Sequence, residues 1–232
     1  MTGYRRVGIV GGIAPESTIE YYRLILASYR ARSNRSGNPS VIINSIDLTK
    51  TLALAVNDLD GLTDYMVAEV DTLVRAGADF AVIASNTPHI VFDEIQHRVP
   101  IPMISIVEAA AEAASARGLT RLGLFGTRFT MQGPSYPRVF AGAGIEVITP
   151  GEEEQAYIHD KYVGELVNGI FLPETREGLL RIISRMVERD AIDGLILGGT
   201  ELPLILRDDG DMPVPLLDTT RVHVERIVAA LL

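Results

Sequence analysis

Short, almost wholly apolar runs alternate along the chain with longer stretches whose apolar residues recur at helical spacing. Arg6 to Gly12 (RVGIVGG) is β-branched and ends in paired glycines, and Ser17 to Ser28 (STIEYYRLILAS) follows a helical period; together they predict strand, tight turn and helix. Val41 to Ile46 predicts a second strand, Leu62 to Ala76 a helix stopped by Gly77, and Phe80 to Ala84 a third strand. Met103 to Val107 follows Pro100 and Pro102 as a fourth, and the Ala-rich stretch from Glu108 to Ala116 has high helix propensity up to Gly118. Strands this apolar are buried on both faces, which predicts an α/β fold built on parallel sheets.

The pattern occurs twice. Arg121 to Gly126 (RLGLFG) repeats Arg6 to Gly11 (RVGIVG), and Gly194 to Glu201 (GLILGGTE) parallels Phe80 to Thr87 (FAVIASNT). Ser85 follows Gly11 by 74 residues, and Gly199 follows Gly126 by 73. Two pseudo-symmetric lobes are expected: residues 1–106 with 212–232, and residues 107–211, the C-terminal helix around Thr219 to Leu232 packing on the first. Ligands of open parallel sheets sit beyond the C-terminal strand ends. The loops Gly11 to Thr18, Ser85 to His89, Thr127 to Thr130 and Gly199 to Glu201 are therefore expected around a single cleft.

Composition narrows the chemistry. With 21 Lys+Arg against 30 Asp+Glu the formal charge is −9, too acidic for a general phosphate-binding face, so no nucleic-acid partner is expected. No apolar run approaches the roughly 20 residues of a membrane span, and the opening MTGYRRVGIVGG lacks a signal peptide's apolar stretch; a cytoplasmic protein is expected. There is no cysteine, which excludes disulfides, thiolate metal sites and thiol nucleophiles. His89, His97, His159 and His223 are too scattered for a zinc set, so no metal is expected. GGIAPEST is neither a dinucleotide fingerprint nor a P-loop.

The loops offer hydroxyls, amides and helix starts. Ser17 and Thr18 read as caps of the first helix or as contacts to a small anion. Asn86 with Thr87, and Thr200 with Glu201, read as turn formers or as a two-sided grip on one ligand. His89 is either a satisfied structural histidine or a general base. Lys50 and Arg128 follow strand ends, as surface cations or as partners for a substrate carboxylate. Arg5, Arg6 and Arg30 to Arg35 read as solvated surface.

Five motifs, VGIVGGIAPESTIEYY (Val7 to Tyr22), IASNTPH (Ile83 to His89), GLFGTRFTM (Gly123 to Met131), ILGGTELPLIL (Ile196 to Leu206) and PLLDTTRVH (Pro215 to His223), give the chain a near full-length resemblance. It resembles the aspartate/glutamate racemase superfamily, in particular its aspartate racemase branch. The resemblance implies two flavodoxin-like lobes, a homodimer, no cofactor, and a small carboxylate-bearing amino acid as substrate. It also implies that Asn86, Thr87, Thr200 and Glu201, with Thr127 and Thr130, bind and organise the substrate carboxylate; Gly12 and Lys50 are further candidate substrate-binding residues. In that family two cysteines on opposite sides of the α-carbon remove and deliver its proton, because a thiol can act as either acid or base near neutrality.

This chain has Ser85 at the first cysteine position and Gly199 at the second. A serine hydroxyl needs an adjacent base, and glycine offers no group at all. Loss of one general acid or base costs on the order of 10²- to 10⁴-fold. Racemisation with His89 or Glu201 as a substitute base is one reading. A dicarboxylate-binding protein without turnover, or a lyase on the same fold, is the alternative. Ser85→Cys with Gly199→Cys is the change expected to revive two-thiol chemistry.

Overall fold

A computed structural model describes residues 5–33, 37–207, 210 and 212–232. The tail of the basic run, at 34 and 35, and the expected lobe end at 211 lie outside the described residues. The chain forms two compact units, Met1–Ile106 with Thr220–Leu232, and Val107–Thr219.

The first unit runs β1 (Arg6–Gly11), α1 (Pro15–Arg32), β2 (Ser40–Ser45), α2 (Leu48–Asn57), α3 (Leu59–Arg75), β3 (Phe80–Ile83), a 3₁₀ turn (Thr87–Val91), α4 (Phe92–Arg98) and β4 (Met103–Ile104). Its four strands are all parallel, in the order β2-β1-β3-β4. β1 splits its apolar side chains between two cores. Val10 joins Leu62, Met66, Val70 and Leu73 of α3 on one face. Val7 and Ile9 join Tyr21 and Ile25 of α1 on the other. A Cβ on Gly8 would come within 3.0 Å of the Leu73 and Ala78 Cβ atoms, so glycine lets this strand and α3 pack closely. Each fully buried aliphatic side chain contributes roughly 1.5–3 kcal/mol.

The second unit follows α5 (Ile106–Ala116) with β5 (Arg121–Gly126), α6 (Arg128–Gln132), α7 (Ser135–Gly142), β6 (Glu146–Ile148) and α8 (Glu152–Gly164). A 3₁₀ turn (Leu166–Asn168), α9 (Pro173–Asp190), β7 (Gly194–Gly198), α10 (Leu202–Ile205) and β8 (Leu216–Asp218) complete it. Its parallel sheet has the same order, β6-β5-β7-β8. Gly123 takes the place of Gly8: a Cβ there would meet Ile192, Leu195 and Met186 side chains at 3.0–3.2 Å. The last helix, α11 (Thr219–Leu231), carries Val224, Ile227, Val228 and Leu231 into the first unit's core, where Tyr21 lies.

Several sequence expectations need correction. The chain returns to the first unit at Thr220 and not at residue 212, because Leu216–Asp218 pair in parallel with β7. The fourth strand stops at Ile104, and helix begins at Ile106. Leu48–Asn57, read as no element, is a helix capped by Asp47, whose Oδ1 accepts from Thr49 N–H at 2.7 Å. Ser17 and Thr18 do not cap α1. Pro15, with its preset φ, opens that helix, and no side chain caps it.

The internal repeat extends to the strand starts. Asp79 Oδ2 accepts from Arg6 N–H at 2.6 Å, while Asp79 N–H donates to Arg6 O at 2.9 Å. Asp193 binds the start of β5 likewise, accepting from Arg121 N–H at 3.0 Å and donating to Arg121 O at 2.8 Å. It also accepts from the N–H and hydroxyl of Thr120, at 2.8 and 2.7 Å. Burial pushes the Asp193 carboxyl up, but these donors outweigh it and hold the group below its usual range. A depressed carboxylate stabilises the fold above its unfolded pKa, and that stability disappears as pH falls through the folded value. Asp193→Asn is therefore expected to destabilise the protein near neutrality. In denaturant titrations its deficit should shrink as the pH drops below about 3.9.

Candidate functional site

In each unit the loops singled out by sequence lie beyond the C-terminal ends of the sheet's two central strands. In the first unit β1 leads to Gly12 and β3 leads to Ser85, Asn86 and Thr87, all of them buried. In the second, β5 leads to Thr127 and Thr130, and β7 leads to Gly199, Thr200 and Glu201. Those four polar side chains are buried as well.

Gly12 has φ +84°, and a Cβ there would fall 2.4 Å from Ile46 O. Its N–H donates to Thr18 Oγ1 at 2.8 Å. The residue thus shapes the turn, with its N–H serving Thr18. Lys50 follows β2, as expected. It sits in the first turn of α2, exposed, with its ammonium 3.8 Å from the centre of the Tyr65 ring, a cation–π contact. Arg128 opens α6, its N–H donating to His159 Nδ1 at 3.2 Å.

His89 lies in the 3₁₀ turn, stacked on Phe92 with ring centres 4.9 Å apart. Its Nε2 accepts from Ile106 N–H at 3.3 Å, and backbone groups of Ser85 and Asn86 lie beside the ring. Burial, aided by the nearby His223 ring, lowers its pKa to about 3 against the pull of those backbone groups. Buried and bonded through Nε2 to the main chain, the imidazole helps to hold the loop's shape. His223 is likewise fixed, accepting from Tyr21 OH at 2.8 Å and donating to Ile104 O at 2.9 Å.

In the second unit Thr127 caps α6: its Oγ1 accepts from Thr130 N–H at 3.3 Å and lies 3.2 Å from Thr130 Oγ1. The last loop holds a residue that the sequence did not single out. Tyr162, on α8, donates its hydroxyl to Glu201 Oε2, the same oxygen that accepts from Thr200 Oγ1 at 3.0 Å. Its ring covers Gly199. A Cβ at that position would lie 2.4 Å from Tyr162 Cε2 and 2.9 Å from its phenolic oxygen. Nothing in the spacing of α8 marks Tyr162 as a loop partner. The one available signal is indirect, a glycine where a side chain is expected, which implies a neighbour using the space.

Among the described residues no group of three or more His, Asp or Glu side chains could hold a metal ion, and no helix is long and apolar enough to cross a membrane.

A family model described as Asp/Glu/hydantoin racemase matches residues 10–227. The chain belongs to that family. Within it, the chain is 25% identical over 232 residues to the broad specificity amino-acid racemase RacX of Bacillus subtilis, covering 97% of this chain and 98% of the relative. It also resembles the crystal structure of PH1733, an aspartate racemase homologue from Pyrococcus horikoshii, at 33% identity and a TM-score of 0.83, covering 98% and 99% of the two chains. The aspartate racemase of Picrophilus torridus, at 19% identity and TM-score 0.78, shares the fold over 98% of this chain and 94% of its own. The two-sheet architecture and the aspartate racemase branch agree with these relatives.

Two outcomes follow for a racemase-family chain with these loops. Gly199→Ala is expected to lower stability by roughly 1–3 kcal/mol by overpacking. In a Tyr162→Ala background the same Gly199→Ala change should cost far less, a coupling readable from a double-mutant cycle in denaturant. Separately, His89 and His223, held at about 3 and about 4, are neutral in the fold while the unfolded chain protonates near 6.5. Depressed folded values mean that stability falls as pH drops through that window, at up to about 1.4 kcal/mol per pH unit for each histidine. His89→Gln should flatten that slope.

Proposed function

We propose that the chain is a cofactor-independent amino-acid racemase acting at the α-carbon of a small acidic amino acid. The observation that carries this reading is the matched pair of buried polar loops, Ser85-Asn86-Thr87 after β3 and Gly199-Thr200-Glu201 after β7, at corresponding places in two sheets of identical order. A lone turn needs no such duplication, whereas a substrate with a carboxylate and an amino group presents several polar groups to be matched. Asn86 and Thr87 from the first unit, and Thr127, Thr130 and Thr200 from the second, supply amide and hydroxyl groups suited to a carboxylate. Family membership and a full-length amino-acid racemase relative support stereoinversion as the reaction. Aspartate is the first substrate to try, since the aspartate racemase homologue PH1733 is among the similar structures.

The absence of cysteine sets the expected rate. Neither Ser85 nor Gly199 provides a thiol, so turnover should be slower than two-thiol chemistry by at least the 10²- to 10⁴-fold that one general acid or base provides.

The test is incubation of the unaltered protein with each enantiomer of aspartate and glutamate in deuterated buffer, without added cofactor. Loss of the α-proton signal and appearance of the opposite enantiomer are expected. Asn86→Ala should raise KM by at least about tenfold, the cost of one hydrogen bond to a charged group. Saturable binding of aspartate or glutamate with no exchange at the α-carbon would instead identify a dicarboxylate-binding protein that has lost the chemistry.

A further inference from the structure

The second unit has not simply lost an acid/base group. Where a side chain at position 199 would begin, the Tyr162 phenol already stands, its oxygen 2.9 Å from the site of that Cβ. The ring is buried, so it does not reach this place by chance contact from solvent. Its hydroxyl donates to Glu201 Oε2, and Glu201, at 1% exposure, is steadied on the same oxygen by Thr200. The glycine and the tyrosine are two halves of one arrangement, because any β-carbon at 199 would displace the ring. A phenol backed by a carboxylate is also a chemically complete unit: the phenol covers Gly199, and the carboxylate can store its proton.

Resting on the racemase reading, we propose that Tyr162 and Glu201 form the proton-transfer pair of the second unit, in the post that the family fills with cysteine. In the forward step the bond between the substrate's α-carbon and its hydrogen breaks, and the phenolic oxygen takes that proton. The phenolic proton passes to Glu201 Oε2, and the electron pair stays on the substrate as the enolate of its carboxylate. In the reverse step Glu201 returns its proton to the phenolic oxygen as the phenol protonates the α-carbon. Two protons move in each direction and no other reactant is consumed.

The electrostatics suit this relay. Burial, reinforced by the Glu201 carboxylate, holds the Tyr162 hydroxyl protonated far above the usual range of a phenol. A free phenolate is thereby avoided, and basicity comes from handing the proton on to Glu201. Among the described residues, the first unit's loop after β3 carries no such phenol–carboxylate pair. His89 is bonded to the backbone, and a serine hydroxyl such as Ser85 can give a proton to a carbanion but is a poor base without a partner. Proton abstraction therefore falls to Tyr162 and Glu201. The enantiomer whose α-proton faces Tyr162 should exchange that proton with solvent many times before it inverts, while its mirror image exchanges only when it inverts.

The experiment follows deuterium uptake into each enantiomer of aspartate and of glutamate by proton NMR, and inversion in the same samples by chiral chromatography. The unaltered chain is expected to exchange one enantiomer with retention faster than it inverts it. Tyr162→Phe, which keeps the ring over Gly199, should cut that retention exchange by on the order of 10²- to 10⁴-fold. Glu201→Gln should do the same, with substrate binding by calorimetry retained in both variants; it also carries the test if Tyr162→Phe fails to fold. Tyr162→Ala with Gly199→Cys should exchange faster than Gly199→Cys alone, since only the double variant leaves room for the thiol. Exchange with retention that persists in both Tyr162→Phe and Glu201→Gln overturns the pair and leaves the racemase reading standing. Absence of any exchange by the unaltered chain overturns both.

Discussion

The contact between the Tyr162 ring and the bare backbone at Gly199 governs what the second unit can do. The glycine is conspicuous only because the family expects a side chain there; physically it is the condition for the ring to lie where it does. Ring, glycine and Glu201 are fixed together: β7 sets the height of Gly199, α8 brings the phenol over it, and the phenol and Thr200 hold one carboxylate oxygen between them. A cysteine returned to position 199 meets an occupied space. The simple repair, Ser85→Cys with Gly199→Cys, therefore leaves out the residue that must be removed first.

The sequence carried most of the fold, because buried parallel strands leave an unmistakable mark. RVGIVG and RLGLFG are apolar on both faces, and each became the second strand of a four-stranded parallel sheet. Other features escaped because their causes are tertiary. Leu48–Asn57 is a short helix with a modest apolar stripe, whose start is fixed by Asp47. The strand after Pro102 stops at Ile104 because the backbone is already turning into α5, a competition that local propensity does not resolve. The return to the first unit came late because β8 is only three residues long, too short to announce itself, yet it completes the second sheet.

At the site, residue type was legible and residue role was not. Asn86, Thr87, Thr127, Thr130, Thr200 and Glu201 lie on the loops where the repeat put them, since position along a strand fixes which loop a residue joins. His89 and Gly12 sit there too, but His89 Nε2 serves the main chain at Ile106 and the Gly12 N–H serves Thr18. Spacing cannot tell a loop residue that serves a ligand from one that serves the loop. Tyr162 was invisible for the opposite reason, being remote in sequence and adjacent in space.

The two cysteine positions have consequently had different fates, and one label for both obscures the chemistry. At Ser85 the change is nearly isosteric; it preserves a hydrogen-bonding group but discards acidity. At Gly199 the group is deleted, and the volume is taken by a larger residue from another helix with a carboxylate behind it. Loss of function by drift would be expected to leave a hole or an indifferent filler at such a place. A buried phenol directed at a buried carboxylate is costly to hold in an apolar setting unless each satisfies the other, and here they do so beside the vacated position. That mutual satisfaction accounts for the ring, the carboxylate and the bare backbone at Gly199 occurring together.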